Sequence, residues 1–245
     1  MKLLVDIGNT DIKWRLANEE WSLLDEGGVL GTDGWESVLH GKQMDEAIVC
    51  ASGGDPEYHC EILREHSVMA RSFNMDDTLP IAIDYETPQT LGQDRVAAAC
   101  GAWGMQKDAC VVIDAGTCTT VDYIDAHGVF RGGAILPGAE MQLLSLYQNT
   151  ARLPHVELDY TEKNNPLGHS TREAMKCGVV CGVRYAVQGI VQHYRKADAQ
   201  VRILYTGGVG EYVCSEIDGA KYEPDLLFKG LATIAQMYDK PLAKQ

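Results

Sequence analysis

Two short stretches of this chain decide its fold, Asp6-Ile7-Gly8-Asn9-Thr10 and Asp114-Ala115-Gly116-Thr117. Each follows an apolar run typical of a buried strand, Lys2 to Ile7 before the first and Ala109 to Ile113 before the second. Each is followed by a further segment whose composition predicts another strand. The recurrence of strand, Asp-x-Gly turn and strand predicts a duplicated lobe. We therefore predict two domains, residues 1–108 and 109–245.

Outside the two turns, the pattern of apolar residues predicts a protein of the α/β class. The predicted strands continue at Asp11 to Ala17, Trp21 to Asp25, Ala47 to Ala51, Ser67 to Phe73, Thr119 to Ile124, Gly128 to Leu136 and Arg202 to Tyr205. Helices are predicted at Pro56 to Glu65, after Asp94, after Pro137-Gly138, over residues 170 to 196, and from Asp225 to Tyr238. The strand at Arg202 runs into Thr206-Gly207-Gly208, which is a third glycine-containing loop at a strand end.

Composition narrows the range of functions. The chain has 245 residues, of which 45% are hydrophobic, and a formal net charge of −14. Such an acidic balance argues against a nucleic-acid partner. No stretch reaches the roughly 18 uninterrupted apolar residues of a membrane span, and the N-terminal sequence does not resemble a signal peptide, so we expect a cytoplasmic protein without a membrane partner. The eight cysteines are scattered through apolar segments and are expected to be buried thiols.

The two Asp-x-Gly turns contain the groups that a phosphate site needs. Glycine lets backbone amides approach phosphate oxygens, and a carboxylate can face the hydrated Mg²⁺ that accompanies them. In the first turn Asp6 is the candidate for Mg²⁺, Gly8, Asn9 and Thr10 supply donors, and Lys13 adds a positive charge. The alternative is a simple tight hairpin, because Gly-Asn is itself a favoured turn.

A third motif, Gly92-Gln93-Asp94-Arg95, places a carboxylate and a guanidinium at the predicted start of a helix. Asp94 either caps the helix or acts as a weak base, which is sufficient for phosphoryl transfer, and helix amides are predicted to keep it ionised. Arg95 either clamps an anionic group or forms an ordinary surface ion pair. Neither a P-loop nor a dinucleotide-binding glycine fingerprint is present.

The sequence resembles the type III pantothenate kinases over most of its length, because several spaced motifs occur in the order of that family. Besides the two Asp-x-Gly turns and Gly92-Gln93-Asp94-Arg95, the matching segments are Gly132-Gly133 to Pro137-Gly138, Thr150-Ala151-Arg152-Leu153-Pro154, Thr171 with Ala174-Met175 and Gly178, and Thr206-Gly207-Gly208.

This resemblance implies an actin-like, ribonuclease H-like ATPase fold of two similar lobes with a nucleotide cleft between them. It also implies transfer of the γ-phosphate of ATP to pantothenate, giving 4′-phosphopantothenate, the first step of coenzyme A biosynthesis. The cofactors implied are ATP, Mg²⁺ and a monovalent cation, K⁺ or NH4⁺. Members of the family are typically homodimers, with the pantothenate site completed across the interface.

Residue roles follow from the same resemblance. Asp94 is implied as the proton acceptor, and Asp114 as the ligand of the monovalent cation. The implied ATP-binding residues are Asp6, Ile7, Gly8, Asn9, Thr10, Lys13, Thr117, Gly207 and Gly208. The implied pantothenate contacts are Tyr85, Gly92, Gln93, Asp94, Arg95 and Thr171. The hypothesis requires Asp6, Asp94 and Asp114 to line one crevice.

Three rival functions remain open from the sequence. They are a non-catalytic nucleotide-binding regulator, a sugar kinase on the same fold, and a nuclease in which Asp6, Asp94 and Asp114 hold two metal ions. The acidic charge and the lack of a basic stripe with aromatic residues argue against the nuclease.

Overall fold

The structure is a computed structural model that describes residues 1–160 and 166–239. Contacts divide the chain into two compact units. Unit 1 contains Met1–Lys107, Asp125–Arg131 and the segment from Asp225 onward, and unit 2 contains Asp108–Ile124 and Gly132–Pro224. The predicted domains 1–108 and 109–245 stay a prediction. The first boundary of the structural units lies one residue earlier, after Lys107, and both Asp125–Arg131 and the segment from Asp225 belong to unit 1.

The described residues form eleven strands and seven α-helices. In chain order they are β1 (Lys2–Ile7), β2 (Ile12–Ala17), β3 (Leu23–Val29), α1 (Gly34–Leu39), β4 (Glu46–Ala51), α2 (Pro56–Glu65), β5 (Met69–Ser72), β6 (Ala82–Ile83), α3 (Gln93–Met105), β7 (Cys110–Ala115), β8 (Cys118–Ile124), β9 (Val129–Pro137), α4 (Ala139–Gln148), α5 (Thr171–Ala197), β10 (Arg202–Thr206), α6 (Gly210–Cys214), β11 (Ala220–Tyr222) and α7 (Leu226–Tyr238). A 3₁₀ turn at Pro88–Thr90 precedes α3.

Unit 1 is built on a sheet with the strand order β3-β2-β1-β4-β5. Strand β1 is central, antiparallel to β2 and parallel to β4, and β4 is parallel to β5. Residues 2–5 of β1 are all buried, so side chains on both faces of the strand are covered, which explains why β1 reads as a nearly continuous apolar run. One face packs in a core that includes Leu3, Val5, Val49 and Leu63.

Unit 2 repeats this topology. Its sheet has the order β9-β8-β7-β10-β11, in which β7 is antiparallel to β8 and parallel to β10, and β10 is parallel to β11. Strands β7 and β10 thus correspond to β1 and β4 of unit 1. The duplication predicted from the two turns is confirmed at the level of strand order. The short strand β6 pairs with Val129 and Phe130 at the start of β9, inside unit 1.

The long helix α5 supplies much of the core of unit 2. Its residues Val183, Val187 and Val191 pack in one apolar cluster, and Met175 and Val179 pack in a second. By length and composition α5 is also the one helix among the described residues that could cross a membrane. The buried apolar side accounts for that composition, because the core helix of a globular protein passes the same test.

Helix α7 packs unusually closely on α3, within unit 1. A Cβ atom added to Gly230 of α7 would lie 1.7 Å from the carbonyl oxygen of Ala97, and one added to Gly101 of α3 would lie 2.2 Å from the carbonyl oxygen of Leu226. Only glycine permits backbones to approach this closely. The contact explains why the C-terminal helix belongs to unit 1.

Most predicted elements are confirmed, with ends that differ by a few residues, and α2 is found at its predicted bounds, Pro56–Glu65. The sequence did not predict α1, β6, α6 or β11. These elements contain two to six residues each, which is too short for a 3.6-residue or two-residue period to be recognised.

We expect Gly230→Ala to lower the free energy of unfolding by about 2 kcal/mol or more, because the new methyl group must separate α7 from α3. Gly189→Ala is the matched control. Gly189 is exposed on α5 with nothing within 4 Å of an added Cβ, and its replacement should raise stability by roughly 0.5 to 1 kcal/mol. Urea unfolding of both variants measures the difference, and equal stability of the two would contradict the proposed close contact.

Candidate active site at the ends of the central strands

Asp6 lies at the penultimate position of β1, among residues of both neighbouring strands. In register it is opposite Lys13 of β2 and Cys50 of β4. The Cys50 thiol donates a hydrogen bond to Asp6 Oδ1, with an Sγ to oxygen distance of 3.6 Å. The side chain is therefore held at the end of the sheet by a hydrogen bond from β4, with Lys13 of β2 opposite in register.

The first Asp-x-Gly turn is a hairpin loop from β1 to β2. The amide of Gly8 donates to the carbonyl of Asp11 at 2.9 Å, while Asn9 and Thr10 are exposed at the tip. A Cβ added to Gly53, in the loop after β4, would lie 2.6 Å from Asn9 Oδ1. The hairpin alternative is thus correct as a description of the backbone, and Asn9 and Thr10 lie on its solvent-exposed side.

Asp94 lies in the first turn of α3, and Gly92 occupies the N-cap position. Asp94 Oδ1 accepts a hydrogen bond from the amide of Arg95 at 2.9 Å. A Cβ added to Gly92 would lie only 2.4 Å from Asp94 Oδ1, so the carboxylate uses the space that a larger residue at position 92 would fill. Asp94 is therefore not the N-cap residue, although it does satisfy one amide of the helix start.

Asp6 and Asp94 influence each other electrostatically. Burial raises the pKa of Asp6 to about 6, and the negative charge of Asp94 raises it as well, while Lys13 and the Cys50 hydrogen bond act in the opposite direction. Burial also raises the pKa of Asp94, against the lowering effect of the Arg95 amide and charge. The helix amide lowers the pKa of Asp94 as predicted, but desolvation outweighs it, so the net shift of the pKa is upward.

Gln93 connects α3 to the ends of two strands. Its Oε1 accepts from the amide of Ala51 at 2.8 Å, and its Nε2 donates to Ser72 Oγ at 3.0 Å and to the carbonyl of Phe73. Since its side-chain amide is engaged within unit 1, a substrate contact by Gln93 would have to come from its backbone.

Arg95 and Tyr85 lie near each other in unit 1. Arg95 is only 7% exposed, so it is not part of an ordinary surface ion pair. Its guanidinium carbon lies 6.0 Å from the centre of the Tyr85 ring and 5.7 Å from that of Phe130. The two aromatic rings are tilted against each other with centroids 6.2 Å apart. Packing of this kind restrains the planar guanidinium while leaving its charge intact.

Unit 2 contains a second carboxylate at the corresponding position. Asp114 is the penultimate residue of β7, opposite Thr206 of β10. A Cβ added to Gly207, whose φ is +91°, would lie 2.5 Å from Asp114 Oδ1. The structure therefore brings Asp114 together with Gly207. Gly208 and the turn residue Thr117 are both exposed. The convergence of Asp114 with Asp6 and Asp94 stays a prediction.

Thr171, the first residue of α5, opens onto a cavity of about 820 Å³ inside unit 2. The walls come from α4 and α5 and are mostly apolar, with Met141, Leu146, Met175 and Val179 among them. Gln142 and Ser145 add polar atoms. Such a cavity fits a small, partly apolar ligand.

Ligation of a metal by side chains alone is limited. Over residues 1–160 and 166–239, no group of three or more His, Cys, Asp or Glu side chains could hold a metal ion. Mg²⁺ characteristically keeps several waters and binds through one or two carboxylates together with substrate phosphates. The half-buried Asp6, with its raised pKa and a second carboxylate nearby, fits a site of that kind.

Comparison with known proteins identifies a family with which this chain shares most of its sequence. Residues 2–193 match the family model described as type III pantothenate kinase. A type III pantothenate kinase from Flavobacterium johnsoniae is 36% identical over 222 residues, which are 89% of each chain. One from Bacteroides fragilis is 34% identical over 214 residues, 85% of this chain and 86% of that protein.

Solved structures show the same fold at low sequence identity. A Campylobacter jejuni protein described as a Baf family transcriptional activator is similar with a TM-score of 0.62 at 23% identity, covering 96% of this chain and 98% of its own. A ROK family glucokinase from Streptomyces griseus gives a TM-score of 0.52 at 13% identity, with 94% and 97% covered. These likenesses concern the fold alone, and they confirm the predicted α/β, actin-like ATPase class.

The fold, together with the two turns that carry Asp6 and Asp114, defines a phosphotransferase of the actin-like ATPase class. Within that class, the chain belongs to the type III pantothenate kinase family. It is an ATP-dependent kinase that phosphorylates pantothenate, and the alternatives of a non-catalytic regulator or a sugar kinase are not favoured.

Sequence reasoning missed two residues of this site, Cys50 and Ser72. Each lies at the end of a strand, and each contacts a candidate residue only because β4 is parallel to both β1 and β5. A single sequence contains no direct signal for the pairing of strands so far apart, so no motif indicated them.

We expect Asp6→Asn to stabilise the fold at pH 8 and to do so roughly half as much at pH 5. Because the pKa of Asp6 rises from 3.8 to about 6 on folding, the folded state binds more protons between these values, and stability falls as pH rises through that window. Asparagine removes this loss. Thermal unfolding at both pH values measures the stabilisation by Asp6→Asn. Asp11→Asn, which replaces an exposed carboxylate of the same loop, is the control. A pH-independent effect would contradict the raised pKa.

Proposed function

We propose that residues of both units bind the substrates of the pantothenate kinase reaction. For ATP these are Asp6 to Thr10 and Lys13 of unit 1, with Thr117, Gly207 and Gly208 of unit 2. The support is that each group lies at the carboxyl end of a central strand or in the turn beside it. Glycine-containing turns at such strand ends offer backbone amides to phosphate oxygens.

Asp6 is proposed to face Mg²⁺ bound to the phosphates of ATP. When bound, this ion would neutralise charge on the transferring phosphoryl group. Asp6 is otherwise in an unfavourable environment, since its charge is half-buried and close to Asp94. A cation would offset both the desolvation and the repulsion by Asp94 that raise the pKa of Asp6, which supports the assignment.

Asp94 is proposed to accept the proton of the primary hydroxyl of pantothenate. Its pKa is raised by burial, so it is a better base than a solvated carboxylate. Phosphoryl transfer proceeds through a loose transition state, in which the proton leaves late and a carboxylate is a sufficient acceptor. The single observation that carries the proposal is that Asp94 lies close enough to Asp6 for its charge to raise the pKa of Asp6, which would place the base beside the phosphates.

Arg95, Tyr85, Gly92 and Thr171 are proposed to contact pantothenate. Arg95 is the cation suited to the carboxylate of the substrate, because its planar fork binds such groups through two hydrogen bonds. Tyr85 lies beside Arg95, and Gly92 leaves room at the start of α3. Thr171 lines the cavity of unit 2.

The remaining features are proposals that follow from the family resemblance. Asp114 would hold the monovalent cation, K⁺ or NH4⁺, at the end of β7. The protein would act as a homodimer in the cytoplasm, and its product, 4′-phosphopantothenate, would enter coenzyme A biosynthesis. No nucleic-acid or membrane partner is proposed.

We expect Asp94→Asn to lower kcat by about two to four orders of magnitude, because the amide cannot accept the proton. ATP binding and thermal stability should be largely kept. ADP release with ATP, Mg²⁺, K⁺ and pantothenate measures the rate, and release in the presence of glucose instead of pantothenate tests the sugar kinase alternative. Near-normal turnover by this variant would exclude Asp94 as the proton acceptor.

Asp114→Ala is expected to abolish the stimulation of the rate by added K⁺, since the proposed ligand is lost. The measurement is initial rate against KCl concentration, with choline chloride to keep ionic strength constant. Asp108→Ala, at the amino end of the same segment, is the control and should keep the K⁺ response. An unchanged response in Asp114→Ala would move the monovalent site elsewhere.

A further inference from the structure

We infer that Gln93 is a positioning residue, which fixes the start of α3 and thereby the carboxylate of Asp94, and that its side chain does not bind pantothenate. The inference rests on the proposed role of Asp94. It concerns a residue that the motif Gly92-Gln93-Asp94-Arg95 otherwise places among the substrate contacts.

The hydrogen-bonding capacity of the Gln93 amide is used inside unit 1. A glutamine side chain has two N–H donors and one carbonyl oxygen. Both donors are taken, by Ser72 Oγ at 3.0 Å and by the carbonyl of Phe73. The oxygen accepts from the amide of Ala51 at 2.8 Å. No donor is left with which the side chain could recognise a ligand.

These bonds reach two strands at once. Ala51 ends β4, while Ser72 and Phe73 lie at the end of β5. Gln93 is the first residue of α3, immediately before Asp94. Since a helix start without a side-chain cap has no strong local restraint, three bonds from one residue can decide where the first turn lies.

The same strand end also contacts Asp6. Cys50, immediately before Ala51, donates its thiol hydrogen bond to Asp6. Two consecutive residues of β4 therefore position both carboxylates, one directly and the other through Gln93. A catalytic group displaced by about 1 Å can cost 100-fold in rate, so loss of this restraint should act on the chemical step.

The test is Gln93→Met, which keeps the length of the side chain and removes its hydrogen bonds. We expect kcat to fall by about 10- to 100-fold, while KM for pantothenate changes by less than about threefold. Gln192→Met, at an exposed position of α5, is the matched control and should leave both constants unchanged. Ser72→Ala removes one of the three partners and should lower kcat in the same direction but less.

A double-mutant cycle separates positioning from other roles. If Gln93 acts through Asp94, Gln93→Met in the Asp94→Asn background should change the rate by less than about twofold. A raised KM with unchanged kcat, or a full additional loss in that background, would overturn the inference. If Gln93→Met does not fold, Ser72→Ala in the two backgrounds decides by the same criteria.

Failure of the proposed function and failure of the positioning role of Gln93 give different results. High activity of Asp94→Asn alone would remove the proposed proton acceptor, whatever Gln93 does. Normal kcat for folded Gln93→Met, together with a severe defect in Asp94→Asn, would leave the proposed function intact and overturn only the positioning role.

Discussion

The parallel pairing of β1 with β4 is the constraint on which the rest of unit 1 depends. It sets Asp6 opposite Cys50, and it brings the amide of Ala51 to the side chain of Gln93. Residues from β1, β4 and α3, which are distant in sequence, thus meet at one end of the sheet. The register of these strands therefore decides which residues meet at the site. A shift by one residue would turn every side chain of the strand to the opposite face.

The meeting of these residues is electrostatically unfavourable for the folded state. Two carboxylates, Asp6 and Asp94, are partly desolvated close to each other, and both have raised pKa values. A protein selected for stability alone would avoid such a pair. Its presence is understandable in an enzyme that handles a metal-bound triphosphate, because the positive charge arrives with the substrate. In the proposed function, the same pair both serves the kinase reaction and destabilises the fold locally.

Much of the fold could be predicted from the sequence, because the repeated Asp-x-Gly turns follow long apolar runs whose periodicity is clear. Short elements such as α1 and β11 lacked enough residues for a period. For the site, motif order predicted Asp6, Asp94 and Asp114, and these roles stay predictions, whereas the contacts made by Cys50 and Ser72 depend on tertiary pairing. The basicity of Asp94 was also beyond local reasoning, since helix amides are visible in a sequence whereas burial is not.

The glycine contact between α3 and α7 has a consequence for how the protein is made. Unit 1 is discontinuous in sequence, and helix α7 begins at Leu226, after all of unit 2. During synthesis the helix that bears Asp94 and Arg95 leaves the ribosome long before the surface it packs against exists. The amino-terminal unit, although translated first, therefore completes its core last, after the whole of unit 2 has been synthesised.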